Sequence, residues 1–284
     1  MTGVPGAAEG DGGREVIARG MRSEIIAWGP GKVLKLYAPG WPAGAAAAEA
    51  ADTRRLHELG LSVPAVFEQV EVEGRQGIVF ERVDGPTMEA RIKARPWLGG
   101  RLIRRMAETQ AAINRVRMPA ARPIKDQLAN KLRRASALPD GARGAALAAL
   151  AAMPDGDNLC HGDYHGGNVI LAPGRGPVVI DWDSPSRGRP AADVARAYLV
   201  INQSPLHVPA AARPLLGALV GGWKRAYLAA YWRAAAVAPP EGAEFAAWLW
   251  LHAAARLAEG IAVEERALLA MVRRGLAGQG TAGS

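Results

Sequence analysis

The sequence predicts an α+β protein in two parts. A small N-terminal lobe holds a five-stranded antiparallel sheet and one helix, and a larger, mainly helical C-terminal lobe carries a polar loop and a short β-hairpin. Three observations predict this. Between residues 14 and 84, short apolar runs with a two-residue period are separated by turns rich in Gly and Pro. From Thr87 onward the apolar residues recur at helical spacing. Interrupting the helices, residues 159–168 are polar and glycine-rich, and the apolar runs 169–171 and 178–180 flank a Pro173-Gly174-Arg175-Gly176-Pro177 turn.

Taken in order, residues 1–13 are small and Gly-rich and read as a disordered lead. Strands are expected over 15–18, 23–28 and 32–37, the last two joined by Gly29-Pro30-Gly31. In the third strand Val33, Lys35 and Tyr37 share one face, so Lys35 need not be a solvated charge. An ordinary lysine on a strand edge is the alternative. A helix follows over 43–59, ended by Gly60 and then Pro64, and it carries the acids Glu49, Asp52 and Glu58. Strands over 65–72 and 77–81, around Glu73-Gly74-Arg75, complete the sheet. The segment 81–86 is the boundary between lobes, after residue 84. Helices are then expected over 87–94, 97–117, 124–137 and 142–153, and after the polar loop over 211–232, 241–259 and 262–276, with a flexible tail from 278. Leu102, Ile103, Met106 and Ile113 recur as a core-facing stripe. The acids Glu259, Glu264 and Glu265 read as a solvated helix end, with capture of a polycation as the alternative.

The chain of 284 residues can bury a sizeable core. Its net charge of +8, from 35 Lys and Arg against 27 Asp and Glu, suits anionic ligands. Nucleic acid is disfavoured as partner, because no helix-turn-helix, RNA-binding or zinc-finger signature accompanies the charge. The single cysteine, Cys160, excludes an internal disulfide and reads as a small buried hydrophobe. No signal peptide or membrane span is evident, so a soluble cytoplasmic protein, monomeric or weakly dimeric, is expected.

The chemistry concentrates in the polar loop. Asp163 and Asn168 stand five residues apart, and an antiparallel return of 178–180 would deliver Asp181 beside Asn168. A carboxylate, a carboxamide and a second carboxylate facing one cavity suit phosphoryl transfer, where positioning and charge neutralisation do most of the work. The segment HGDYHGGN followed by VVIDWDSPSRGRPAADVA resembles the aminoglycoside phosphotransferase family. Its members carry HGDxHxxN and then IDW or IDF where protein kinases carry HRD and DFG.

The resemblance implies a protein-kinase-like two-lobed fold. It implies transfer of the γ-phosphoryl group of ATP or GTP, with Mg²⁺, to a hydroxyl of a small molecule, whether antibiotic or metabolite. Asp163 would be catalytic, and Asn168 and Asp181 would hold the metal. Lys35 would grip the nucleotide phosphates with Glu49 as its partner, under a loop containing Gly20 and Ser23. Glu81 and Val83 would read adenine with their main chains. His161, His165 and Asp193 would support the loop, and Asp183 is a candidate acceptor contact. Two departures bear on the acceptor: Gly166 stands where the family has Pro, and Arg189 where it has Asp. The other readings are a metabolite kinase without a resistance role and a nucleotide-binding pseudokinase scaffold. The intact Lys35, Asp163, Asn168 and Asp181 weigh against the scaffold. A protein kinase is disfavoured because no Ala-Pro-Glu segment follows Asp181.

Overall fold

The computed structural model describes residues 15–280 apart from 21, 43 and 184. The expected lead over 1–13 lies outside the described residues, as does the end of the expected tail, 281–284. The chain divides into two compact units, Met1–Val83 and Asp84–Ser284.

The first unit contains β1 (Val16–Arg19), β2 (Ser23–Ala27), β3 (Lys32–Tyr37), α1 (Ala45–Glu58), β4 (Val66–Val72) and β5 (Arg75–Glu81). The strands form one sheet in the order β1-β2-β3-β5-β4, and every neighbouring pair is antiparallel. Strand alternation sorts the side chains. Tyr37, Ile78 and Phe80 pack on Ala46 and Ala50 of α1, while Ile26, Leu34, Leu36 and Val79 form a separate cluster on the other face. Strand β5 begins two residues earlier than the expected 77, because the reversal needs only Glu73 and Gly74. Both have positive φ, 53° and 73°, which fits a two-residue hairpin turn.

The second unit opens with α2 (Met88–Ala94), whose Thr87 side chain accepts the Ala90 amide as an N-cap. Helix α3 (Gly99–Asn114) follows a short 3-10 turn, Pro96–Leu98, that takes up the start of the helix expected from 97. Then come β6 (Arg122–Pro123), α4 (Ile124–Arg134), α5 (Asp140–Ala152), β7 (Asn158–Cys160), β8 (Val169–Ala172), β9 (Gly176–Val179) and β10 (Ser186–Gly188). The chain ends in α6 (Pro190–Gln203), α7 (Arg213–Ala235), α8 (Gly242–Arg256) and α9 (Ala262–Gly280). Helix α9 continues past the expected end at 276.

Helix α8 is the hub of the larger core. Trp248, Trp250 and Leu251 are buried in one cluster with Leu128 and Leu132 of α4, Leu150 of α5, Leu199 of α6 and Leu268 of α9. Two of the close approaches that demand glycine lie between helices. A Cβ on Gly275 of α9 would lie 2.2 Å from the Trp250 ring, and one on Gly99 of α3 would lie 2.3 Å from Trp223 of α7. Strands β8 and β9 form the expected antiparallel hairpin, with Val169 opposite Val179. A small three-stranded sheet, β6-β10-β7, was not expected; β10 runs parallel to β6 and antiparallel to β7. It fastens the segment leading into the polar loop to the segment just before α6.

Candidate active site

In the first unit, β3 pairs on both sides, with Ile25 and Ile78 flanking Lys35. The edge-strand alternative therefore does not apply, and the Lys35 side chain is buried against α1. Its Nζ lies 2.8 Å and 2.9 Å from the two Glu49 carboxylate oxygens, and the Tyr37 hydroxyl also donates to Glu49. A buried ammonium is costly unless it is paired, and of the acids on α1 only Glu49 is buried. The Gly20 amide donates to the Ser23 carbonyl at 2.9 Å and so closes the β1–β2 turn. Glu81 and Ala65 exchange two bonds. The Glu81 amide donates to the Ala65 carbonyl at 2.8 Å, and the Glu81 carboxylate accepts the Ala65 amide at 3.1 Å.

In the second unit the polar loop leaves β7 at Cys160, which is fully buried. Burial, with Asp193 nearby, pushes its thiol well above the ordinary cysteine range. His161 acts as a brace. Its Nδ1 accepts the Asp163 amide at 3.3 Å, which leaves Nε2 to donate to the Ile180 carbonyl 3.1 Å away. Its ring packs on the buried Trp182, centroid to centroid 4.5 Å. Gly162 turns the chain with φ 80°, and its amide donates to the Asp193 carboxylate at 2.9 Å.

Asp193 has no exposed surface, and its other oxygen accepts from Gln110 at 2.8 Å and from Asn114 at 3.1 Å, both on α3. His165 Nδ1 accepts the Gly167 amide at 3.0 Å. Burial holds the His165 ring below the usual histidine range, against the raising influence of Asp163. Gly166 rests on α2, where a Cβ would come within 3.2 Å of the Glu89 amide.

Asn168 joins loop and hairpin. Its Nδ2 donates to the Asp163 carbonyl at 3.1 Å, and its own carbonyl accepts the Ile180 amide at 3.0 Å. Asp181 therefore begins one residue beyond a direct hydrogen bond to Asn168. It adopts a left-handed conformation, φ 65°, uncommon for a residue with a side chain and often found where function requires it. Asp183 is half-buried, beyond Trp182.

An Asn carbonyl oxygen and an Asp carboxylate are hard donors. Two such ligands suit Mg²⁺, which keeps several waters and takes further oxygens from phosphates. The Asn168 Oδ1, almost buried and with no hydrogen-bond partner among the described residues, fits that use.

Several residues at the site carried no signal in the sequence. Arg196 of α6 donates from Nε at 3.1 Å and from Nη2 at 2.7 Å to one oxygen of Asp163, Oδ1, and from Nη2 to Glu259 at 2.9 Å. Arg256 donates to Glu259 at 2.7 Å and forks onto Glu264, which His207 also meets at 2.6 Å. The expected solvated acidic helix end is thus corrected. Glu264 has no exposed surface and Glu259 little, because Arg196 and Arg256 fold onto them and supply the countercharge. Burial alone would raise the Asp163 pKa. Arg196 first, then His165 and Lys131, outweigh this and hold the carboxyl well below the usual range. Arg189, standing where the resembling family has an acid, pairs with Glu244 of α8 at 3.3 Å.

The sequence model of the phosphotransferase enzyme family (APH) matches residues 22–257. The chain belongs to this family. It is accordingly an enzyme, a phosphotransferase of the small-molecule kinase kind. Solved structures agree on the fold. An amicoumacin kinase, hAmiN, solved with AMP-PNP, Ca²⁺ and Ami, is 15% identical with a TM-score of 0.65, covering 92% of this chain and 86% of that one. A thermostable mutant of aminoglycoside phosphotransferase APH(4)-Ia is 18% identical with a TM-score of 0.62, covering 92% and 94%. An aminoglycoside-3'-phosphotransferase of type VIII is 20% identical with a TM-score of 0.62, covering 86% and 90%. A search of curated protein sequences finds no match. The phosphotransferase has no described helix long and apolar enough to cross a membrane.

Proposed function

We propose that this phosphotransferase moves the γ-phosphoryl group of ATP or GTP to a hydroxyl of a small molecule, an antibiotic or a metabolite. The observation that carries the reading is the knitting of the Asp163–Asn168 loop to the Ile180–Asp181 turn through Asn168 and His161. In this reading the acceptor hydroxyl attacks the γ-phosphorus and gives its proton to Asp163, and the bond to the leaving nucleoside diphosphate breaks. Asn168 and Asp181 would hold Mg²⁺, which would neutralise phosphate charge when bound. Lys35, held extended by Glu49, binds phosphate oxygens. Because the Glu81 amide is spent on Ala65, an adenine edge would take its hydrogen bond from the Val83 amide and offer its own donor to the Glu81 carbonyl.

Arg196, Arg256 and Lys131 pair with Asp163, Glu259 and Glu264, so these three acids offer no unmatched charge to a polycation, and Arg189 stands where the family has an acid. This favours an acceptor with few positive charges, such as a sugar or amino alcohol, over a polyamine antibiotic. A panel of alcohols, sugars and aminoglycosides with ATP, Mg²⁺ and coupled detection of nucleoside diphosphate tests the reading. Turnover is expected with at least one acceptor. Asp163→Asn should lower kcat by about 10²–10⁴, and Lys35→Ala should raise the KM for nucleotide. Wild-type turnover by Asp163→Asn would remove Asp163 from its role.

A further inference from the structure

An arginine on a base is at first sight a paradox, since it makes the carboxylate a weaker proton acceptor. The geometry gives it another use. Both contacts from Arg196 land on Oδ1 of Asp163, whereas Oδ2 accepts no hydrogen bond among the described residues and lies 3.9 Å from His165 Nε2. A carboxylate gripped by one oxygen through two donors cannot rotate freely about its last torsion, so the other oxygen is aimed. Only 4% of the Arg196 side chain is exposed, too little for it to meet a ligand itself. It is fixed in turn. Its Nη2 is shared with Glu259, Glu259 is held by Arg256, and Arg256 is forked onto the fully buried Glu264. Alternating charges thus run from α9 through the end of α8 to α6 and the polar loop.

We propose that Arg196 is a positioning residue for phosphoryl transfer, turning Oδ2 of Asp163 toward the acceptor hydroxyl, and that Glu259 and Arg256 hold it in register. This rests on reading Asp163 as the proton acceptor. Near-attack geometry is worth much of a barrier, and a misplacement of about 1 Å costs about 10²-fold in rate. Arg196→Ala should therefore lower kcat by about 10²-fold while leaving the KM for nucleotide unchanged. Arg196→Lys should recover only part of the loss, because one ammonium cannot make two bonds to Oδ1 and one to Glu259 at the geometry of a planar fork. Guanidinium ion added to Arg196→Ala, at concentrations that leave its unfolding midpoint unchanged, should raise kcat at constant nucleotide KM, a split that general loosening of the fold would not give. Glu259→Gln keeps the shape and loosens the grip, and should lower kcat several-fold.

The experiment is steady-state kinetics on the full chain with whichever acceptor the wild type uses, on all four proteins beside Asp163→Asn. Wild-type kcat for Arg196→Ala, with Asp163→Asn inactive, would overturn the positioning role and leave Asp163 as the base. Full activity in Asp163→Asn would sink the underlying reading instead. Should Arg196→Ala not fold, Glu259→Gln decides: unchanged kcat overturns the proposal, and a kcat loss at constant nucleotide KM supports it.

Discussion

Replacing Asp193 by Asn tests the scaffold beneath the polar loop. The native carboxylate is fully buried and takes three N–H donors, from the Gly162 amide, Gln110 and Asn114. In the variant the best arrangement keeps the amide oxygen on Gln110 and Asn114 and turns the new NH₂ toward the Gly162 amide. One buried donor is then opposed by another, at about 1–3 kcal/mol, and the two surviving bonds lose their charge assistance at about 1 kcal/mol each. The sum is about 3–5 kcal/mol, or on the order of 10 °C in Tm for a chain of this size. Asp193→Ala, which leaves all three donors without an acceptor, should cost more. Urea unfolding followed by circular dichroism measures both. A loss below about 1 kcal/mol for Asp193→Asn, or a smaller loss for Ala than for Asn, would refute this account of what holds the loop.

Neighbouring glycines in α3 should respond with opposite signs. Gly99→Ala drives a methyl to within 2.3 Å of the Trp223 ring and should destabilise by about 1–2 kcal/mol net of helix propensity. Gly100→Ala meets nothing nearer than 4.0 Å and should stabilise by about 0.5–1 kcal/mol, both read as shifts in urea midpoint. His252 supplies a pH test. Burial, with Arg196 and Lys131 nearby, pushes its pKa down to about 3, so the folded state binds fewer protons than the unfolded state between that value and the ordinary 6.5. Its contribution is complete above about pH 6.5 and is lost as pH falls, by about 2 kcal/mol at pH 5. His252→Gln should flatten that part of the profile measured between pH 7 and pH 5.

The sheet, the long helices and the loop–hairpin pairing were legible because each has a local signature: period-two runs, turn glycines, or a motif at fixed spacing. Lys35 and Glu49 were legible through the shared face of β3 and the resemblance. What was not legible depends on partners far apart in the chain. Most of helix α6 was not legible because every residue from Ala191 to Ala197 is buried, the charged Asp193 and Arg196 included, so polar and apolar positions share one environment. Strands β6, β7 and β10 have two or three residues each, too few to show alternation. Arg196 looks like any helix arginine until α6 docks beneath the loop. Glu259 and Glu264 looked solvated because nothing local says that two arginines will cover them.

The contacts of Asp193 extend one step further, to α7. Gln110 and Asn114 spend their amide nitrogens on Asp193 and their oxygens on the hydroxyls of Tyr227 and Tyr231. Both pairs are four residues apart and run in the same sense along the two helices. A slip of α7 by one turn could rebuild one rung but would strand the outer amide and the outer phenol in a dry interior. Greasy helices can slide past one another at little penalty, whereas this ladder has a single notch. The depth at which α7 sits beside α3 is therefore set by polar matching, and the seat beneath the polar loop inherits that accuracy.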